Sequence, residues 1–148
     1  MIKNYTSGVP VDRTMAKIES VLVHGGAVNI MKDYHAGQIV AVCFFVNEPA
    51  TGKRLAVRLP ANTEAVYQTL RAAVKRPRPG TLERLKEQAA RTAWKLMQDW
   101  VEVQISLIQM NQAEFLQVFL PYVWDGKRTF YNVLKDTGFK MLTAGRPD

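Results

Sequence analysis

Residues 71–95 hold eight basic side chains, Arg71, Lys75, Arg76, Arg78, Arg84, Lys86, Arg91 and Lys95, against two acids, Glu83 and Glu87. That window alone carries six of the chain's net charge of +7. Positive charge confined to one stretch makes a local field that attracts phosphate or an acidic partner. Within it, Lys75-Arg76-Pro77-Arg78-Pro79 is expected to be stiff and extended, because proline fixes φ and biases the residue before it. An Arg/Pro segment of that kind can lie in a DNA minor groove. Arg84, Arg91 and Lys95 then prolong the strip along a helix face, and Arg54 and Arg58, on an outer strand face, join it if the fold brings them near. Such a surface would neutralise several phosphates, with an affinity that falls steeply with salt. The competing reading is a solvated linker kept soluble by its charge.

Other residue types give less. Asp99 and Glu102 stand at i, i+3 on one helix face, and paired carboxylates can bind a divalent ion or polarise water. They lie in no nuclease or hydrolase motif, and Lys95, four residues before Asp99, offers an ordinary surface ion pair. One cysteine and two histidines, His24 and His35, cannot supply the four ligands of a Cys/His zinc site. His24 is expected against a helix C-terminus and His35 in a hairpin turn. Cys43 falls in the apolar run Val40–Val46, where cysteine acts as a small hydrophobe. No Gly-x-Ser-x-Gly elbow or glycine-rich phosphate loop is present. The expectation is therefore no catalytic residue, no metal ligand and no cofactor. Phe115, Phe119 and Tyr122 at i, i+4 and i+7, with Trp94 and Trp100 before them, could stack on bases. At helical spacing they are expected in the core instead.

The elements that position these residues follow from periodicity and punctuation. The 148 residues, 47% hydrophobic and 22% charged, suit one globular domain. A single cysteine forbids an internal disulfide and suggests a reducing compartment. No apolar stretch near the first methionine reads as a secretory leader, and no run of about 18 apolar residues reads as a membrane span. The first ten residues read as a loosely held arm. Val11, Met15, Ile18 and Leu22 make one helix face, stopped by Gly25-Gly26. Strands follow at Ala27–Tyr34, Gln38–Asn47 and Lys53–Leu59. The second is apolar on both alternating sets and so reads as central. The third alternates Leu55, Val57 and Leu59 against Arg54 and Arg58, as an edge strand would.

Asn62 is expected to cap a helix reaching Val74, with Ala65, Val66, Leu70 and Ala73 inward. Residues 76–80 form a basic, proline-rich linker. Thr81 is expected to cap a long helix with two apolar stripes, one through Leu82, Leu85, Ala89, Leu96, Trp100, Val103, Leu107 and Met110, the other through Ala93, Met97, Val101, Ile105 and Ile108. A helix apolar over so much of its surface is buried or shared with a partner. It is expected to continue in some form through Tyr122, bent near Pro121, with a last short helix from Thr129 to Asp136 ending at Gly138. The fold class is thus α+β: an α-β-β-β-α unit over residues 1–75 with a three-stranded antiparallel sheet, then a helical part over 81–148.

That unit has the element order of double-stranded RNA-binding domains, whose last helix starts with lysines. Here Pro60-Ala61-Asn62-Thr63-Glu64 lacks them, so the resemblance is architectural and DNA is the expected nucleic acid. Separately, the run Gly80–Lys95 together with Asp99-Trp100-Val101-Glu102 and Phe119-Leu120-Pro121-Tyr122 resembles a group of short uncharacterised proteins of bacteriophages and other mobile elements. The resemblance implies a bacterial cytoplasmic setting and favours handling DNA or countering a host system. It transfers no catalytic residue. The leading expectation is a non-enzymatic accessory protein that binds nucleic acid through Lys75, Arg76, Arg78, Arg84, Arg91 and Lys95. Its rival is a protein-interaction module that assembles with itself through the long helix or inhibits a host factor. A weaker third is a metal-dependent enzyme using Asp99 and Glu102.

Overall fold

The chain alternates short amphipathic segments with tight turns, and the computed structural model, which describes residues 3–143, turns each segment into one element. In order they are α1 (Val11–His24), β1 (Val28–His35), β2 (Gln38–Asn47), β3 (Arg54–Pro60), α2 (Thr63–Ala72), α3 (Thr81–Gln109), α4 (Phe115–Phe119) and α5 (Phe130–Asp136). Single 3-10 turns occupy Leu120–Tyr122 and Lys140–Leu142. The architecture is α+β: an α-β-β-β-α core followed by a long helix and shorter ones.

The sheet is an antiparallel meander in the order β1-β2-β3. β2 is central, as its two-sided apolar pattern predicts. Ala36 (φ 50°) and Gly37 (φ 78°) form the two-residue turn between β1 and β2, both in the left-handed region that such hairpins require. One face of the sheet, with Val42, Phe44, Val46, Val57 and Leu59, is buried against Met15, Ile18 and Leu22 of α1 and Trp94, Val101 and Ile105 of α3. Burying each large apolar side chain stabilises the fold by about 1.5–3 kcal/mol, which makes this layer the principal core. β3 is an edge strand, but not a bare one. Val123 bridges to Val57, and the Trp124 N–H donates to the Ala56 carbonyl at 2.9 Å.

Caps decide where the helices stop. Gly26 takes φ 97° after α1, its N–H donates to the Val23 carbonyl, and the Ala27 N–H reaches Leu22. Gly25 is favoured for a different reason: a Cβ there would lie 2.7 Å from Ile105 Cδ1, which would have to shift. The Asn62 side chain accepts from the Ala65 N–H at 3.0 Å and starts α2 as expected. α2 ends at Ala72, before Val74. Leu70 is buried and Val66 half-buried, whereas Ala65 and Ala73 are exposed. Ala65 lies about 140° around the helix from Leu70, outside the stripe that rests on α3.

Three expectations fail around α3. Thr81 does not cap it: Gly80 (φ 81°) stands at the cap, and Thr81 Oγ1 accepts the Arg78 N–H at 3.1 Å. α3 does not run on towards Tyr122. Asn111 turns left-handed (φ 58°), its N–H donates to Ile108 and the Gln112 N–H to Leu107, which closes the helix end. Asparagine tolerates that conformation better than most residues, and here it does what Gly26 does after α1. A new helix then starts at Phe115, where the Glu114 N–H donates to Gln117 Oε1 at 2.7 Å and the Glu114 side chain caps in return. Finally, the arm is not loose where it is described, from Lys3 onward; residues 1 and 2 lie outside the described residues. Thr92 Oγ1 donates to the Asn4 carbonyl at 2.9 Å, and Gln88 Nε2 and Arg91 Nε donate to the Ser7 carbonyl at 3.0 and 3.2 Å.

The aromatic stripe is core. Phe119 is fully buried, stacked on Phe115 with ring centroids 4.6 Å apart and edge-on to Phe44 and Trp100. Trp94 is buried and its indole N–H donates to the Ile39 carbonyl at 3.3 Å, as a buried indole needs. At the chain's far end Thr129 caps α5 through the Asn132 N–H, and Gly138 (φ 69°) ends it.

Candidate nucleic-acid interface

Between α2 and α3 the chain must reverse within eight residues, two of them prolines. It does so as an elbow, with bends at Lys75–Arg76 and a turn closed by the Thr81 N–H on the Arg78 carbonyl at 3.0 Å. The extended strand expected here is therefore not what forms. Arg71 Nη1 donates to the Val74 carbonyl at 3.1 Å and Arg84 Nη2 to Thr81 Oγ1 at 3.4 Å, so these two arginines brace the elbow from either side. Lys86 leans over the Tyr67 ring at 5.8 Å, against α2. Lys75, Arg76 and Arg78 are exposed on the bend.

Among the described residues the ion pairs are Lys3–Asp99, Lys32–Glu19, Arg58–Asp33 and Arg128–Asp136. None involves Lys75, Arg76, Arg78, Arg84, Arg91 or Lys95, so none of these six charges is held in a direct ion pair. The α3 side of the strip is less open than its spacing suggests. The arm lies along it, and Arg91 is half-buried, with Nη2 on Gln88 Oε1 at 2.7 Å besides its bond to Ser7. Lys95 is also half-buried and adds to the positive field at Asp99.

Arg54 and Arg58 do not join this strip. Their side chains alternate with Val57 and Leu59, which face the core, so the sheet stands between them and α3. On the outer sheet face the Arg58 guanidinium donates to Asp33 Oδ2 at 2.7 Å and to Cys43 Sγ at 3.5 Å, and lies 5.6 Å from the Trp124 ring. Arg54 lies over Phe45 at 4.4 Å. Burial pushes the Cys43 thiol above its ordinary range, and Arg58 only partly offsets that.

Asp99 and Glu102 do not converge either. Burial disfavours the Asp99 carboxylate, but hydrogen bonds from Lys3 and Asn4 and the charges of Lys3 and Lys95 outweigh it and hold the carboxyl below its usual range. Glu102 Oε1 instead accepts from Gln98 Nε2 at 3.0 Å. Among the described residues no three His, Cys, Asp or Glu side chains come together to hold a metal ion. His24 Nδ1 meets the Ser20 carbonyl at 2.8 Å near the end of α1, and His35 ends β1 at the hairpin, both where the sequence puts them. Among the described residues no helix is long and apolar enough to cross a membrane.

The sequence reading missed Ser7, Asn4, Gln88 and Thr92, the residues that seat the arm. Gln88 and Thr92 at i, i+4 on an otherwise charged helix face were the available signal. Comparison with known protein families, with curated proteins and with solved structures finds no match to this chain.

Proposed function

We propose that this protein is a non-catalytic accessory protein that binds nucleic acid, DNA rather than double-stranded RNA, with the elbow of Lys75, Arg76 and Arg78 as its leading edge and Arg84, Arg91 and Lys95 behind it. One observation carries the reading: among the described residues these six cations make no ion pair, and the three at the bend are exposed. Uncompensated cations on a braced turn release counterions when they meet phosphate, at little conformational cost. The test is binding to a short DNA at two salt concentrations. Steep loss with salt, and strong weakening by Arg76→Glu with Arg78→Glu, are expected; no binding at low salt, or binding indifferent to that pair, overturns the reading. The bacterial cytoplasm and a phage or mobile-element origin, implied by the family resemblance, belong to the same proposal.

A second reading has its own observation. Val103 and Met110 are 55% and 70% exposed, and with Leu107 they line a shallow groove on the last turns of α3. These three positions recur at four and three residues, the spacing of a helix-pairing seam. Such a seam is self-complementary about a two-fold axis, so a second copy is its natural occupant. Sedimentation should then show a dimer that Val103→Lys dissociates, and a strict wild-type monomer ends this reading.

A further inference from the structure

A cavity of about 350 Å³ opens where the arm, the start of α1, the β1–β2 hairpin and α3 meet. That volume lies within the range of small-ligand sites. Ile39 and Trp94 are among its apolar lining, its charged groups are Arg91, Glu87 and Asp12, and Gln38 and Thr63 are its neutral polar ones. Tyr34, 56% exposed, stands on its wall.

Arg91 is held in place rather than free to choose a partner. Nε is fixed by the Ser7 carbonyl and Nη2 by Gln88 Oε1, and among the described residues Nη1 has no hydrogen-bond partner. Among the described residues neither Asp12 nor Glu87 pairs with it, which leaves a fixed donor and two separate carboxylate acceptors for a ligand. A bare phosphate would be repelled by the two carboxylates, and a purely apolar ligand would leave all three charges unpaired. A nucleobase suits both demands. Its faces are flat and apolar, and its edge carries carbonyl or ring-nitrogen acceptors for an arginine beside N–H donors for a carboxylate. Tyr34 offers a ring on which such a base stacks.

We infer that this cavity takes one unpaired nucleobase of a bound strand, with Arg91 at its edge, while Arg84 and the cations of the elbow hold its phosphates. The inference rests on the nucleic-acid reading above and narrows it to single-stranded or locally opened substrate. It also gives the arm a task, since Ser7 sets the direction in which Arg91 points.

The test uses the full chain at low salt and compares a labelled single-stranded oligonucleotide with one of the same length whose central positions are abasic. The abasic strand should bind about tenfold more weakly. Tyr34→Ala, a change at an exposed position, should weaken the intact strand by a similar factor and leave the abasic strand unaffected. Arg76→Glu with Arg78→Glu should weaken both strands alike. Equal affinity for the two strands, or a Tyr34→Ala effect that is the same on both, overturns the base pocket and leaves nucleic-acid binding standing. Failure of both strands to bind at low salt overturns both readings.

Discussion

From Thr81 to Lys95, α3 carries Arg84, Lys86, Arg91 and Lys95 against Glu83 and Glu87; from Leu96 to Gln109 it carries Asp99 and Glu102 and no cation. The first half buries Ala89, Ala93 and Trp94 on one side, while its polar side is overlaid by the arm through side-chain hydrogen bonds and meets α2 at Lys86. The second half is wedged between the sheet and α4 by Trp100, Val101 and Ile105, with Phe119 closing the cluster. One backbone thus serves two purposes. Apolar contact at Ala89, Trp94, Val101 and Ile105 fixes the helix along both halves, and that leaves the opposite side of its first half free to present charge.

This division can be broken from either side. The largest effect is expected at the packed end: Phe119→Ala should destabilise the fold by about 3–5 kcal/mol, read by denaturant titration, because it opens a void between Phe44, Phe115 and Trp100. At the charged end, Arg76→Glu with Arg78→Glu should cut DNA affinity about thirtyfold and flatten its salt dependence, with the unfolding midpoint unmoved. A protein that loses stability along with binding would show that the elbow is structural after all. Gly25→Ala, which drives a methyl into Ile105, should cost about 1 kcal/mol, and Ile105→Val in the same chain should recover part of it.

The smallest effect concerns the arm. Asp99→Asn removes the charge that holds Lys3 and should cost under about 1 kcal/mol at neutral pH, as an exposed pair would. Its folded-state carboxyl titrates below the unfolded one, so its contribution is complete above about pH 4 and disappears as pH falls through the lowered value. The wild type and Asp99→Asn should therefore converge in acid. Curves that stay parallel would mean the arm is seated by Ser7 and Asn4 alone.

Much of the fold was legible because its signals are local. Met15, Ile18 and Leu22 at helical spacing, the two-sided run of β2, and Gly26 and Gly138 after their helices each announce an element within a few residues. The break at Asn111 was not legible: apolar residues keep helical spacing across it to Phe115 and Phe119, and only the left-handed backbone at Asn111 shows that they belong to separate helices. The site was half legible. The unpaired cations at the elbow follow from composition. The burial of Arg91 does not, because its partner Ser7 lies 84 residues away in the chain. Arg54 and Arg58 were separable in principle, since a strand whose apolar side must meet α3 turns its arginines away from it.

The outer face of the sheet gives this protein a reporter of its own opening. Cys43 is the chain's single cysteine, it is 5% exposed, and its thiol is held above its ordinary range beneath Arg58. Alkylating reagents attack the thiolate, so the folded molecule should react slowly at neutral pH. Each alkylation event then counts a moment at which the side chains over Cys43, Arg58 among them, have moved aside. The reaction rate reports how often the outer face of the sheet opens at one known point, without any label added to the protein.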